Sequence, residues 1–407
     1  MNTIKTSCCI VGGGPAGMML GLILSRAGVP VTVLEKHGDF LRDFRGDTVQ
    51  PSTLRILADL GLLERFWQLP VHKEEVMHAT LANGSFAIAD FRGLKDFPYL
   101  ALAPQWDFLN MLAEQGGRYP DFRLMMRTEG RELIAKGGRI VGVRAEGVGG
   151  EIEIRADLIV GTDGRHSTMR LAAGFEPHEF GAPIDCLWFR LSRRENDQEA
   201  TGGIVGKGRM IVMLNRDSYW QIAYVIAKGG FDKFRAGGLD AFRQQLAALA
   251  PFLADRVQEI RSLDDLSLLS VQVDRLARWH RPGLLLIGDA AHAMSPIGGV
   301  GVNLAIQDAV AAANTLGPIL LAGRRPSDGD LARVQKRREW PIRAAQRIQL
   351  VIQNRILAHA VDSGAESLRV GPLLRFLLRF PFMRRIPARL MGYGVRHERV
   401  RLAAKSG

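Results

Sequence analysis

Apolar and polar positions in the first 60 residues follow a pattern that predicts a strand, a helix and a second strand. Uncharged apolar runs at residues 7–11 and Val31–Leu34 have the length of buried strands, and the apolar spacing at 18–27 is typical of a helix. Such a unit pairs its two strands in parallel through a right-handed crossover. We therefore expect an α/β fold that begins with a parallel sheet.

The pattern then changes several times along the chain. Short strands around glycine turns are predicted before residue 103 and again at 137–159, and the alternation at 186–225 is typical of an antiparallel sheet. After residue 307 the pattern is mainly helical. Dinucleotide-type segments interrupted by sheet segments predict two interleaved domains and a helical C-terminal region. The first domain comprises 1–75, 104–175 and 281–335, the second comprises 76–103 and 176–280, and the helical region comprises 336–407.

Composition favours an ordinary globular protein. The 407 residues are 47% hydrophobic and 24% charged. Three cysteines, Cys8, Cys9 and Cys186, cannot build a disulfide framework, so we expect buried core residues in a reducing compartment and no metal site. The uncharged run at residues 6–25 is broken by a glycine-proline turn, unlike a signal peptide or membrane span. These features favour a cytoplasmic protein.

Positive charge is concentrated at the C-terminus. The net charge is +12, and residues 367–407 hold nine arginines and one lysine against the single acid Glu398. Arginines interleaved with Leu, Phe, Met and Ile predict a basic amphipathic helix pair interrupted by Pro381 and Pro387. Three interpretations stay open: the solvated face of packing helices, peripheral contact with a membrane surface, and an anionic partner. No DNA- or RNA-binding motif accompanies the charge, so we expect no nucleic acid.

A glycine motif lies between the first strand and the first helix. Gly12, Gly14 and Gly17 have the spacing GxGxxG, and Glu35 follows 18 residues later at the end of the next strand. In this context the glycines allow a tight turn, close approach of a pyrophosphate and close packing of helix on strand. Glu35 is then expected to accept hydrogen bonds from a ribose.

Two later segments also place an acidic residue and glycines directly after a predicted strand. An apolar strand precedes Asp163 and Gly164, with Arg170 at a distance where it could brace the loop through a bidentate ion pair. Residues 285–309 place Asp289 after a strand and four glycines before a helix, which lets backbone amides approach a flat or anionic ligand. Distant segments built for one ligand predict a large bound cofactor.

The three segments GGGPAG, DGRHSTMR and GDAAHAMSPIGGVGVN resemble, in this order, the para-hydroxybenzoate hydroxylase class of FAD-dependent aromatic monooxygenases. The resemblance implies a Rossmann-like FAD-binding domain interleaved with a mixed or antiparallel β-sheet substrate domain, followed by C-terminal helices. It also implies that Asp289 binds the ribityl chain and that residues 296–303 line the isoalloxazine. The cofactor-binding residues expected from the motifs and the resemblance are Gly12, Gly14, Ala16, Gly17, Glu35, Lys36, Arg45, Gln105, Asp163, Asp289, Pro296, Gly299, Gly301, Val302 and Asn303.

The activity implied by the resemblance is hydroxylation or epoxidation of an aromatic or other lipophilic small molecule. NADPH or NADH, bound transiently, reduces FAD; O2 adds at flavin C4a, and the hydroperoxide transfers one oxygen atom. The chemistry is borne by the flavin, so no catalytic side chain is expected, and His292 is assigned to loop packing or a flavin hydrogen bond. A prenyl reductase of the same fold family and a non-catalytic FAD-binding carrier are the alternatives.

The predicted antiparallel sheet supplies candidate substrate contacts. The pocket candidates are Arg190, Met213, Trp220 and Tyr224, from a set of apolar and aromatic positions that also includes Trp188 and Met210. Alternation along strands lets at most half of this set face the pocket. A buried Arg190 needs an acidic partner or an anionic or phenolate ligand, and a surface position is equally consistent with the pattern. We expect a monomer or a homodimer.

Overall fold

The strand, helix, strand unit predicted at the N-terminus is present in the computed structural model, which describes residues 2–41, 48–197, 201–206, 208–354, 371, 375–376 and 380–405. The helices in this part are α1 (Pro15–Arg26), α2 (Pro51–Asp59), α3 (Leu63–Phe66), α4 (Gln105–Gly116), α5 (Thr168–Ala172), α6 (Phe231–Ala236), α7 (Leu239–Leu249), α8 (Gly301–Leu321), α9 (Asp328–Ile352) and α10 (Pro381–Tyr393). The strands are β1 (Asn2–Val11), β2 (Val31–Leu34), β3 (Thr48–Val49), β4 (His72–Glu74), β5 (Val76–Leu81), β6 (Gly84–Asp90), β7 (Leu100–Leu102), β8 (Phe122–Met125), β9 (Glu129–Lys136), β10 (Arg139–Gly147), β11 (Gly150–Gly161), β12 (His178–Glu179), β13 (Ile184–Ser192), β14 (Gly202–Gly206), β15 (Arg209–Asn215), β16 (Tyr219–Ala227), β17 (Ser267–Leu269), β18 (Asp274–Arg275), β19 (His280–Arg281) and β20 (Leu284–Leu286).

A largely parallel sheet forms the first layer. Its order is β19-β20-β11-β1-β2-β8, and the hairpin strands β10 and β9 continue from β11. Cys8 and Cys9 on β1 are fully buried, as expected, and burial raises the pKa of the Cys9 thiol to about 12. Helix α1 packs beside α8 and α4 on this sheet. The central strands read as continuous apolar runs because both faces of the sheet are covered.

A second, mixed sheet of order β17-β13-β16-β15-β14-β5-β6 forms the other unit. Its neighbours pair antiparallel except β14 with β5, which are parallel. Strands from residues 76–90 and 184–269 thus meet in one sheet, as the interleaved pattern predicts. Strand β7 departs from that prediction: it is fully buried and pairs with β3 and β4 in a separate small sheet.

The described residues of the C-terminal part are helical only in places. Pro387 lies inside α10 and Pro381 opens it, so the prediction that both prolines interrupt the helical pattern is wrong for Pro387. Residues 395–405 form no helix. Helix α8 together with the short turn before it, Ile297–Leu321, has the length and hydropathy to cross a membrane, but 72% of its most apolar stretch is buried in the protein, as in a core helix.

Candidate active site

The carboxyl ends of four neighbouring parallel strands lie side by side and define the site. Val11 of β1 is in register with Leu34 of β2 and Gly161 of β11, and Gly161 is in register with Leu286 of β20. The three sequence segments and Glu35 follow directly after these ends. Segments more than 100 residues apart therefore meet along one edge, where open α/β sheets bind their ligands.

The glycine turn after β1 leaves an open cradle at the start of α1. Gly12 has a φ of +111°, and a Cβ there would lie 2.5 Å from the Thr162 carbonyl oxygen; a Cβ on Gly17 would lie 2.0 Å from the Gly12 carbonyl oxygen. A Cβ on Gly14 would meet no atom within 4 Å. Packing thus requires Gly12 and Gly17, whereas Gly14 borders open space. The free amides of the first helical turn are suited to a pyrophosphate in that space.

Glu35 lies beside this cradle and is buried. Its Oε2 accepts from the Gly13 N–H at 3.0 Å and its Oε1 from the His37 N–H at 2.9 Å. A carboxylate oxygen can accept more than one hydrogen bond. Acceptance from a ribose hydroxyl by Glu35 therefore stays a prediction that its position allows. Lys36 follows it and is exposed.

Two other predicted residues occupy the starts of helices around the cradle. Ala16 is buried in the first turn of α1, and Gln105 is the partly buried first residue of α4. Arg45 lies outside the described residues. The roles of all three in cofactor binding stay predictions.

Asp163 stabilises the loop after β11. Its Oδ1 accepts from the Ser167 hydroxyl and its Oδ2 from the Met169 N–H at 3.0 Å, while Ser167 caps α5 by accepting from the Arg170 N–H at 2.9 Å. Burial raises the pKa of the Asp163 carboxyl. Both oxygens are engaged within the loop, so its contact with the cofactor remains a prediction.

Asp289 lies in the short turn after β20 and pairs with Arg165, a residue that sequence reasoning did not single out. The Arg165 Nε donates to Asp289 Oδ2 at 3.1 Å, and the two side chains are 19% and 32% exposed. Within the described part of the chain, Asp289 Oδ1 has no hydrogen-bond partner. The carboxylate is therefore oriented by one oxygen and available to ligand hydroxyls through the other. The signal for Arg165 was its place directly after Asp163-Gly164.

Arg170 braces the same two segments, but by hydrogen bonds to carbonyls. It is buried, and it donates to the carbonyl oxygens of Arg165 and Ala290, the latter at 3.4 Å. Asp274 Oδ1 is 4.0 Å away. The predicted bidentate ion pair is therefore wrong, although Arg170 does connect the loops.

Asn303 holds residues 296–303, which we call the glycine loop, in place. Its Oδ1 accepts from the Gln50 N–H at 2.8 Å and the Thr53 hydroxyl at 2.7 Å, and its Nδ2 donates to the carbonyls of Thr48 at 2.9 Å and Gly299 at 3.2 Å. Gly299 has a φ of +60°, and a Cβ there would lie 2.9 Å from Thr48 Oγ1. The side chain of Asn303 thus bonds three backbone groups and the Thr53 hydroxyl. Residues that remain partly exposed beside it are Pro296, Gly299, Gly301 and Val302.

A buried ionic network supports this loop from behind. Asp308 on α8 lies 2.6 Å from His292 Nε2 through one oxygen and accepts from Arg338 Nε at 2.8 Å through the other. Arg338 also lies 3.7 Å from Glu398, which Arg337 contacts through two of its nitrogens. Burial alone would raise the pKa of Asp308, but His292 and Arg338 lower it. His292 thus packs behind the loop and pairs with Asp308 through Nε2, while its Nδ1 is buried without a hydrogen-bond partner among the described residues, so the choice between loop packing and a flavin hydrogen bond stays a prediction. No signal in the local sequence predicted the distant partner Asp308.

The two faces of the mixed sheet separate the substrate candidates. Met213, Trp220 and Tyr224 belong to the cluster beneath α7, on one face. Trp188 and Ile297, a residue of the glycine loop, pack against a different cluster on the opposite face, which we call the inner face. The expected pocket position of Met213, Trp220 and Tyr224 is thus not what the structure shows, because strand alternation directs them away from the loop.

Arg190 and Trp188 bring polar groups to the inner face. Arg190 is in register with Gln221, two positions along β13 from Trp188, and its side chain is exposed. The Trp188 indole N–H is buried and has no hydrogen-bond partner among the described residues. A buried donor without a partner costs free energy unless a ligand or water accepts from it. In the described part of the chain no cluster of three or more His, Cys, Asp or Glu residues could hold a metal ion.

Comparisons with known proteins agree with this geometry. A family model described as FAD binding domain matches residues 5–347. The chain is 34% identical over 408 residues to 6-methylpretetramide 4-monooxygenase of Streptomyces rimosus, with 97% of this chain and 94% of that protein covered. It is 24% identical to para-nitrophenol 4-monooxygenase of a Pseudomonas species, with 81% and 82% covered. The solved structure of an anhydrotetracycline hydroxylase from Streptomyces rimosus has the same fold, with a TM-score of 0.75 at 22% identity over 96% of this chain and 76% of that one.

Proposed function

Because this chain belongs to the FAD binding domain family of flavin-dependent aromatic monooxygenases, we propose that it hydroxylates an aromatic compound related to 6-methylpretetramide. The chain is an FAD-dependent monooxygenase that uses O2 and NADH or NADPH and acts on a small molecule. The prenyl reductase and carrier alternatives are not favoured, since these relatives are named as monooxygenases. The substrate proposal rests on the 34% identity that extends over nearly the whole of both chains.

The structural observation that carries the proposal is the meeting of the glycine loop with the inner face of the mixed sheet. Ile297 of that loop and Trp188 and Met210 of the sheet pack against the same cluster. An aromatic ring between loop and sheet would contact apolar and aromatic side chains on one side and the cofactor site on the other. Water would be displaced from both surfaces.

The residues present fit FAD. The buried carboxylate of Glu35, the open space at Gly14 and the partly exposed carboxylate of Asp289 lie in this order along one sheet edge. We assign them to the adenosine ribose, the pyrophosphate and the ribityl chain. When bound, FAD supplies the redox chemistry: it accepts a hydride from NADH or NADPH and activates O2, so that one oxygen atom enters the substrate and the other leaves as water.

The protein then contributes positioning and exclusion of water. Asn303 fixes the loop backbone, Arg165 orients Asp289, and the inner face orients the substrate. We assign to the Trp188 N–H a hydrogen bond to a substrate oxygen, because it is the buried donor on that face without a partner in the described residues. Arg190 is exposed near this position and stays a predicted contact for an anionic or phenolate substrate.

The test is substrate-stimulated oxidation of NADPH by the purified, flavin-loaded protein with 6-methylpretetramide. We expect one NADPH consumed per hydroxylated product and one atom of label in the product from isotopically labelled O2. Label from water, or product formed without O2, would contradict the proposal. If the protein hydroxylates another aromatic compound but not 6-methylpretetramide, only the proposed substrate class is contradicted.

Trp188→Phe tests the assigned contact. It removes the N–H and keeps an aromatic ring, so KM should rise roughly five- to tenfold with kcat little changed. Trp220→Phe is the matched control, because that indole donates to Asp197 at 2.9 Å on the opposite face. The control should lower stability and leave KM unchanged; an equal KM for Trp188→Phe and the parent would contradict the contact.

A further inference from the structure

Helix α10 is docked on the protein by its smallest residues. Ala388 and Gly392 are buried, and a Cβ on Gly392 would lie 3.0 Å from Pro51 Cγ. The helix backbone therefore approaches the body of the protein closely on this side. The larger side chains of α10 are left on the other side.

That outer side carries an apolar stripe. Phe382, Ile386 and Leu390 are spaced four residues apart, which places them on one helix face, and they are 58%, 53% and 40% exposed. Phe380 extends the stripe at its N-terminal end, with its ring centroid 5.9 Å from that of Phe382. Phe376 follows at 5.2 Å from Phe380. Neighbouring exposed apolar side chains of this number indicate a surface that contacts another apolar phase.

The stripe also continues into the protein. Leu390 and Ile348 line an apolar cleft between α9 and α10 that reaches Val300 and Leu304 at the start of α8. Ile348 is itself 43% exposed. The apolar surface is thus broader than one helix face.

Arginines border the stripe. Arg385 and Arg389 are exposed on α10, one helical turn from Phe382 and Ile386. The sequence has no Asp or Glu between residues 367 and 397. An apolar helix face flanked by uncompensated arginines complements a surface that is anionic at the level of its head groups and apolar beneath them.

We propose that this outer face of α10 binds an anionic lipid surface, with the apolar stripe at the depth of the upper acyl chains and the arginines at the phosphates. Charge favours this occupant over a second copy of the chain, because two such faces would bring arginines against arginines. The apolar stripe favours a lipid over a purely anionic polymer, which offers no apolar phase for the phenylalanines.

The test is co-sedimentation of the full-length, flavin-loaded protein with vesicles of phosphatidylcholine alone or mixed with phosphatidylglycerol. We expect binding to the anionic vesicles that weakens as salt increases, and no binding to the neutral ones. The double variant Arg385→Glu/Arg389→Glu should bind at least roughly 30-fold more weakly, since each basic residue near such a surface contributes about a fivefold factor. The affinity of Phe382→Ser/Ile386→Ser should be roughly one tenth of the parent's or lower.

Matched controls carry the same changes at other exposed positions. Arg123→Glu/Lys136→Glu makes the same change in net charge, and Val148→Ser/Leu321→Ser removes exposed apolar side chains. Both should bind like the parent, and thermal melts should show that all four variants are folded. No binding to anionic vesicles, equal losses in test and control variants, or a dimer in solution that the α10 variants dissociate would each overturn the proposal.

Discussion

Arg338→Met should destabilise the protein strongly although Arg338 is not itself a predicted ligand contact. Arg338 is fully buried and lies between two buried carboxylates, with Nε 2.8 Å from Asp308 and a second nitrogen 3.7 Å from Glu398. Removing one partner of a buried pair typically costs roughly 3–5 kcal/mol, because a charge is left without compensation. Asp308 keeps His292 and Glu398 keeps Arg337, so we expect about 3 kcal/mol.

The free energy of unfolding would be measured by urea denaturation, monitored by circular dichroism and by the fluorescence of released flavin. The midpoint should fall without a large change in the slope. Flavin should also be released at lower urea than in the parent, because Asp308 accepts from the Gly288 N–H at 3.2 Å in the turn that carries Asp289.

An exposed ion pair provides the control. Arg65 and Glu114 are 46% and 49% exposed at 2.8 Å, so Arg65→Met should cost under about 1 kcal/mol. In the double variant Asp308→Asn/Arg338→Met the uncompensated carboxylate is gone, and the loss should be smaller than the sum of the single losses. The reasoning is refuted if Arg338→Met costs no more than Arg65→Met, or if the two buried losses simply add.

Three shorter predictions concern the cofactor edge and the substrate sheet. Asp289→Ala should weaken FAD binding by roughly ten- to a hundredfold in a fluorescence titration, because a hydrogen bond to a charged group contributes about 1.5–3 kcal/mol; unchanged affinity would contradict the assignment. Gly17→Ala should lower Tm because its Cβ would lie 2.0 Å from the Gly12 carbonyl oxygen, whereas Gly14→Ala should fold normally and lose FAD affinity. The reverse pattern would contradict the assignment of the space at Gly14 to the pyrophosphate. Burial alone would raise the pKa of Asp197, but Arg256 lowers it to about 2, below its usual value of 3.8. The Asp197–Arg256 pair therefore stabilises the folded protein fully above about pH 4, and this contribution is lost as the pH falls toward 2. Asp197→Asn should remove that part of the acid dependence in melts recorded between pH 2 and 5, and an unchanged pH profile would argue against it.

The cofactor edge could be predicted from the sequence because its signals are local. Gly12 needs a positive φ, Gly17 has no room for a Cβ, and Glu35 ends a strand that reads as a continuous apolar run. Each property depends on a few neighbouring residues. Their meeting in space follows from one rule, that parallel strands end at the same edge.

The substrate face could not be predicted in the same way. Alternation along β15 and β16 shows that Met213 and Trp220 lie on one face and Met210 on the other, but it does not say which face α7 covers. That choice depends on packing between segments far apart in the chain. The partly buried Trp188 is consequently a better candidate than the fully buried Trp220, although both are tryptophans in apolar strands.

The end of the chain gives the strongest case of long-range determination. Glu398 is the single acid in a basic tail, yet it is buried against Arg337 and Arg338. Arg399 pairs with Asp59, and the Lys405 N–H donates to a carbonyl in α1. We therefore propose that residues 395–405 belong with the FAD-binding domain, unlike the predicted boundary at 336. The same tail follows α10, for which we propose lipid binding. Attachment of α10 to lipid and support of the glycine loop by the Glu398 network would therefore be coupled through a single short segment.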